Sequence, residues 1–571
     1  MKKLNALYRT LCPLVVAASC ASEGQTPAGL DGDFEGIEEA TQGLSDLSAQ
    51  CSFVTGTGVA TLALATGDVA MVAKLASGAL GVNGYACATA TTAALKKLVV
   101  TGTAGDQTLI LDFLGGTFGA GTATGVGIDV DLGAGTGDAL KLRGTKLADT
   151  YVFGSTGIAT NSDAFKDIAY VGVEAFVATL SDGDDNFSGA GNAATGNAFT
   201  AAITIYGGAG NDTLRGGNGD DTLNGGDGND TFTTGAAADG NDVVVGGAGT
   251  DTADYSTRTA AVSLSLNATA DDGATGETDN IGSDIEVLKG GMGDDTLTGG
   301  AGNDTIFGGP GNDTIAGGAG ADILNGDAGN DTFDEGATSN GADVMNGGAG
   351  TDTVSYASRT VAVTVILDAL ANDGEALELD KVMLDVENVK GGAGDDTITG
   401  SPLDNVLDGG AGIDTISGGL GNDTLRGGDG NDVLHGDAGD DIFDEGAAAN
   451  GNDTIVGGAG SDKVDYSART ADLVVVMDGV TASGDTGNTE ADTIATDVEN
   501  LIGGTGADSL TGNALDNQLE GGSGTAIDTI FGLAGDDLID GGAGADVIDC
   551  GAGDADVLLD SSAPTPVSCE L

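Results

Sequence analysis

Between Gly391 and Asp444 the chain divides without remainder into nine-residue units: GGAGDDTIT, GSPLDNVLD, GGAGIDTIS, GGLGNDTLR, GGDGNDVLH and GDAGDDIFD. A period that strict admits few folds. Aspartate holds the sixth place in all but the second unit, where Asn405 follows Pro402, and an aliphatic or aromatic residue holds the eighth throughout, from Ile398 to Phe443. Glycine at the first, second and fourth places supplies backbone free to visit positive φ, so each unit opens with a tight turn. The residues after the turn are apolar only at place eight, which predicts a three-residue strand with one side chain facing inward. Turn and strand alternating at fixed period make a solenoid.

Stacking such units sets a carboxylate in every turn, and a ladder of like charges demands a counter-charge. One buried aliphatic per nine glycine-rich residues is also too little apolar surface to offset the ordering of that backbone. Oxygen ligands without Cys or His select a hard cation of high coordination number, and Ca²⁺ accepts carboxylates and backbone carbonyls in flexible geometry. The candidate ligands are Asp212, Asp221 and Asp230 in a first run of units; Asp295, Asp304, Asp313, Asp322 and Asp331 in a second; Asp396, Asp414, Asp423, Asp432 and Asp441 in the third; and Asp508, Asp537 and Asp546 in a less regular fourth.

The unit GGxGxDxUx resembles the calcium-binding nonapeptide repeat of the RTX (haemolysin-type) family. The resemblance implies an all-β fold, a parallel β-roll in which two units make one coil. It also implies that the place-six aspartates reach calcium together with backbone carbonyls of the glycine turns. Many members of that family leave the cell by a carboxy-terminal signal; here an export signal stands at the amino terminus instead.

That terminus carries Lys2, Lys3 and Arg9, then the short apolar run Leu11 to Ala18, then small residues leading to Cys20, the pattern of a secretory signal. The string Val-Val-Ala-Ala-Ser-Cys resembles a bacterial lipobox, which implies lipidation of Cys20 and residues 1–20 as signal; cleavage after Ala21 is the alternative. Residues 21–50 are acidic and read as a tether. Of the remaining cysteines, Cys51 with Cys87 and Cys550 with Cys569 form local pairs suited to an oxidising compartment.

Residues 51–206 alternate short apolar strands with glycine turns (VATLALATG, TLILDFLGG) and read as a degenerate β region. From there a larger repeat contains the smaller one: block 1 with its insert over 207–289, block 2 with insert over 290–390, block 3 with insert over 391–502, and terminal repeats with a disulfide cap over 503–571. The β inserts open alike, as GGAGTDTADYSTRT, GGAGTDTVSYASRT and GGAGSDKVDYSART. They repeat an arginine (Arg258, Arg359, Arg469) and, near their ends, a glutamate (Glu286, Glu387, Glu499). The arginines read as ion pairs holding each insert to the roll, with an anion site as the alternative.

The sequence holds 89 acidic against 19 basic residues, a net charge of −70, which excludes nucleic acid or an anionic lipid surface as the main partner. The single histidine, His435, sits at place nine of a unit, there is no HExxH, and no Trp is present to stack on a sugar, so no catalytic residues are assigned. The expected function is a non-enzymatic, exported, calcium-binding module with a structural or surface-binding role, extracellular or tethered to an outer membrane by its lipid alone. The alternatives are a calcium-dependent adhesin or matrix protein binding surface polymers, and a polysaccharide-acting enzyme with its site in 51–206.

Overall fold

The computed structural model describes residues 47–559 and 569, apart from 56, 58, 78, 92–94, 115–126, 161–165, 488–489 and 554. The signal, Cys20 and most of the tether lie outside the described residues. The described chain is all-β: the only helical turn in it is the three-residue 3-10 turn Ser48–Gln50. No helix among these residues is long and apolar enough to cross a membrane.

Contacts divide the chain into two compact units. The first comprises the described residues up to Thr233 together with Asp239–Gly249, and the second Thr234–Ala238 with the chain from Thr250 on. This boundary falls inside the first repeat block rather than at residue 206. The reason is register: Phe176–Asp182 pairs parallel with Ile203–Ala209, which pairs parallel with Thr222–Asp227, so the preceding region and the first repeats share one sheet.

The first unit is more than a worn repeat. Several of its strands run to five or more residues, as in Thr108–Asp112, where Leu109, Ile110 and Leu111 are all buried. Antiparallel hairpins interrupt the parallel stacking, Cys51–Val54 against Val59–Ala63 and Thr150–Gly154 against Gly157–Ala159. Phe153, Phe176, Phe187 and Phe199 pack ring against ring, with centroids 4.7 Å apart for Phe176 and Phe199. A disulfide joins Cys51 to Cys87 across 5.5 Å between Cα atoms.

In the second unit the roll follows the period. Paired strands lie eighteen residues apart, Thr305 beside Ile323, Val406 beside Thr424 and Thr415 beside Val433, so two nonapeptides complete one coil. Place eight is the core: Ile398, Leu407, Ile416, Leu425, Leu434 and Phe443 are wholly buried while their flanking residues are not. Each insert adds an antiparallel pair, Val363–Ile366 with Gly374–Glu375 in the second and Leu473–Val476 with Gly484–Asp485 in the third. Cys550 and Cys569 form the second disulfide.

Glycine does two different jobs. Place two of a stacked unit takes positive φ (+98° at Gly410), and a Cβ there would strike the carbonyl of Gly392 one coil below. Place one, contrary to the sequence expectation, is not left-handed; it is glycine because a Cβ would collide with the unit's own aspartate and a carbonyl of the next coil, Asp414 Oδ2 and Gly427 O for Gly409. Gly410→Ala is therefore expected to cost about 1–3 kcal/mol from strain and backbone collision. Gly446→Asn, at φ +62° with open space around it, is expected to be nearly neutral. Thermal unfolding in calcium checks both.

Candidate metal centres

Every aspartate predicted at place six is buried, and the glycine turns explain how. The turn folds the side chain back under its own backbone, where one oxygen finds the coil before it. Asp295 N–H donates to Asp313 Oδ1 at 2.7 Å, Asp313 N–H to Asp331 Oδ1 at 2.8 Å, and, one nonapeptide out of step, Asp304 N–H to Asp322 Oδ1 at 2.8 Å. The third block repeats this from Asp396 to Asp414 and from Asp414 to Asp432, and in its other run from Asp423 to Asp441. In the first unit Asp212 N–H donates to Asp230 Oδ1.

The second oxygen separates two kinds of turn that share one sequence motif. In the coil that follows an insert, the place-two N–H caps it: Gly291 donates to Asp295 Oδ2, Gly300 to Asp304, Gly392 to Asp396 and Gly504 to Asp508. Gly217 does the same for Asp221 in the first unit. Asp221, Asp295, Asp396 and Asp508 thus have both oxygens engaged by backbone N–H groups. In the other turns, positive φ at place two swings that N–H away, and Oδ2 of Asp212, Asp313, Asp322, Asp331, Asp414, Asp423, Asp432, Asp441, Asp537 and Asp546 is buried with no hydrogen-bond partner.

A buried carboxylate oxygen with no donor costs several kcal/mol as an anion. The cost shows in the acidities. Burial first, and the carboxylates one coil away second, push Asp212, Asp313, Asp322, Asp414 and Asp423 up to about 7. Asp432 rises to about 6 through burial and Asp429. The same oxygens face backbone carbonyls, since Asp313 Oδ2 and Gly326 O both crowd the place where a Cβ on Gly308 would stand. Carboxylate and carbonyl oxygens meeting in a turn that has no donor to offer are the donor set of Ca²⁺, and the residues fit that ion. The worn unit supports the same reading by exception: Asn405 puts Nδ2 2.8 Å from the carbonyl of Glu387, and Asn517 puts its own 3.0 Å from that of Glu499. An amide N–H there meets a carbonyl oxygen directly.

The ladder also runs through the inserts, whose rungs were not among the candidate ligands although Asp352 and Asp462 hold place six of the insert openings. Asp331 N–H donates to Asp352 Oδ1 and Asp352 N–H to Glu387 Oε2, and the third insert repeats this with Asp441, Asp462 and Glu499. The recurring glutamates are thus rungs. Asp343 and Asp453 continue the other run, from Asp322 to Asp343 to Asp380 and from Asp432 to Asp453 to Asp492. Three extra residues before each of them shift the step from eighteen to twenty-one and hide them from a strict period.

The arginines pair with glutamates inside their inserts. Arg359 reaches Glu378 at 2.9 Å and Glu375 at 3.0 Å, Arg469 reaches Glu490 at 2.8 Å, and Arg258 reaches Glu277 at 3.0 Å. Each guanidinium also lies 5.6–5.7 Å from the ring centre of a buried tyrosine, Tyr255, Tyr356 or Tyr466. All three arginines are buried.

Comparison with known protein families matches the RTX calcium-binding nonapeptide repeat to residues 204–232, 236–253, 281–354, 385–468 and 495–555, through overlapping segments. No curated protein matches the sequence. The matched segments cover most of the carboxylate ladders described above, and the uncovered residues 254–280, 355–384 and 469–494, which include the rungs Asp380 and Asp492, are the interiors of the three inserts. Its repeats between residues 204 and 555 place the chain in the RTX calcium-binding nonapeptide-repeat family.

Proposed function

We propose that this protein is an exported module whose β-roll forms only where calcium is plentiful, outside the cytoplasm, and which serves there as a structural and surface-binding element. One observation carries the reading: an unpartnered, buried carboxylate oxygen recurs turn after turn along the roll. Extracellular calcium suits such sites, since modules of this kind bind at about 10⁻⁴–10⁻³ M. The chain does no chemistry of its own. Each place-six aspartate gives one oxygen to backbone and leaves the other, in most turns, for the ion, and the lone His435 lies on a strand of the roll, on the parallel pairing Ser417 to His435 to Val456. A lipid on Cys20 would hold the module at the outer membrane, with surface or matrix polymers as its partners.

The full chain is expected to gain β signal in circular dichroism on titration with Ca²⁺ and to lose it on chelation, with Mg²⁺ unable to substitute because it demands a tight octahedral shell. A spectrum indifferent to both calcium and chelator would reject the proposal.

A further inference from the structure

Beneath the second and third inserts lies a carboxylate cluster outside the nonapeptide turns. Glu335, Glu378 and Asp380 each present an oxygen such that all three oxygens lie within 4.8 Å of one another, and Glu445, Glu490 and Asp492 repeat the arrangement. Oxygens no farther apart than this can share one ion with Ca–O bonds of about 2.4 Å. Arg359 is the adjacent cation, but its N–H groups go to Glu375, Glu378, Asn340 and the carbonyls of Glu335 and Gly336. None reaches the carboxylate of Glu335. That side chain is 1% exposed, takes one hydrogen bond from Asn340 on Oε2, and leaves Oε1 buried with no partner. The three clustered carboxylates share their single guanidinium with Glu375, so the negative charge around Arg359 exceeds the positive, an excess that a divalent ion reduces.

We propose that each of these clusters is a calcium site of a second kind, distinct from the turns of the repeat, that fastens its insert to the roll. Glu335 and Glu445 come from the strand ends that precede the inserts, whereas the Glu-x-Asp pairs come from the inserts themselves, so an ion shared among them ties the two parts together. Burial raises Glu335 and Glu445 well above the usual carboxylate range, although Arg469 Nη2 stands 3.9 Å from Glu445 Oε2 in the third insert. The first insert supplies a built-in comparison. It keeps Glu277 and Asp279, but Thr234 stands where the others have glutamate, and Arg258 Nε donates to its Oγ1 at 3.3 Å. The first insert has no such site.

Terbium(III) tests this, because it replaces calcium and emits when a nearby aromatic ring is excited. The chain lacks Trp, and the Tyr356 and Tyr466 hydroxyls donate to carboxylate oxygens of Asp380 and Asp492, members of the two clusters, at 2.9 and 2.8 Å. In the full chain, Glu335→Gln with Glu445→Gln is expected to remove most of the tyrosine-excited terbium emission and to lower bound calcium at dialysis equilibrium by two ions per chain. Thr234→Glu in the native background is expected to add emission and one ion. Unchanged emission and calcium content in the double variant, with its calcium-dependent dichroism intact, would overturn the insert site while leaving the calcium-dependent roll standing. If the double variant does not fold, Thr234→Glu decides alone, and no gain overturns the proposal.

Discussion

In chelator at about pH 7.5 the chain is expected to show little β structure, and lowering the pH to about 5 in the same chelator is expected to restore much of it. The sign follows from the raised pKa values. An unfolded aspartate releases its proton near 3.8, whereas Asp313, Asp322, Asp414 and Asp423 in the metal-free roll hold theirs up to about 7. The folded state therefore binds more protons between those limits, and its stability falls as pH rises from about 4 to about 7. A displacement of one pH unit is worth about 1.4 kcal/mol. Summed over several carboxylates and discounted for their coupling and for solvent screening, the penalty is still comparable with the ~5–15 kcal/mol by which a folded domain is ordinarily stable. Below that window the penalty is absent; above it the penalty is complete and calcium must lift it. The pI of about 4.1 keeps the chain anionic at pH 5, so acid precipitation does not obscure the reading. The calcium midpoint is expected to rise on acidification, since binding must expel protons. Dichroism in chelator that is flat from pH 7.5 to 5 would contradict the account.

Arg359→Met is expected to cost about 3–5 kcal/mol, the usual penalty for removing one partner of a buried ion pair. Glu378 would then sit buried beside Asp380 and Glu335 with its cation gone; at present the hydrogen bonds from Arg359 help hold its pKa below the ordinary carboxylate value despite the burial. Because each coil touches only its neighbours, the loss is expected to stay local. Hydrogen exchange measured in calcium is expected to accelerate in Val363–Ile366 and in Thr397–Thr399, which pairs with it, while Thr108–Asp112 in the first unit exchanges as before. Arg359→Lys is expected to recover little, because a single ammonium cannot replace a fork that meets Glu378 with two N–H groups and Glu375 with one. Uniform acceleration along the chain would show that the roll melts as one block instead.

The sequence displayed the roll more plainly than it displayed the sites. Period nine, an inward-facing apolar eighth place and a carboxylate ladder at the sixth were legible because a one-dimensional stack writes each contact at a fixed offset, as Asp313 over Asp295 shows; the burial of that sixth place was not. The two turn states were not legible. GGAGDD at Gly391 and GGAGID at Gly409 read alike, yet only the first has its place-two N–H on its own aspartate, because the insert rather than a glycine turn precedes it. Glu335 was invisible for another reason: its partners Glu378 and Asp380 lie more than forty residues on, at a distance set by an insert of variable length. The strength of the first region was underestimated because its core comes from phenylalanines scattered over 153–199, which no period announces.

The eighteen-residue register also bears on how such a chain changes over generations. Duplication of two adjacent units inserts one whole coil whose strands, core residue and carboxylates all find the partners they had before. The extra residues that lengthen the step from Asp322 to Asp343 sit in a turn, and the strands on either side stay aligned, Ile323 with Val344. A tract of this kind can be lengthened or shortened by whole coils at little cost to folding, and each added coil brings its own demand for the ion. Selection acting on the reach of the protein thereby sets its calcium requirement as well.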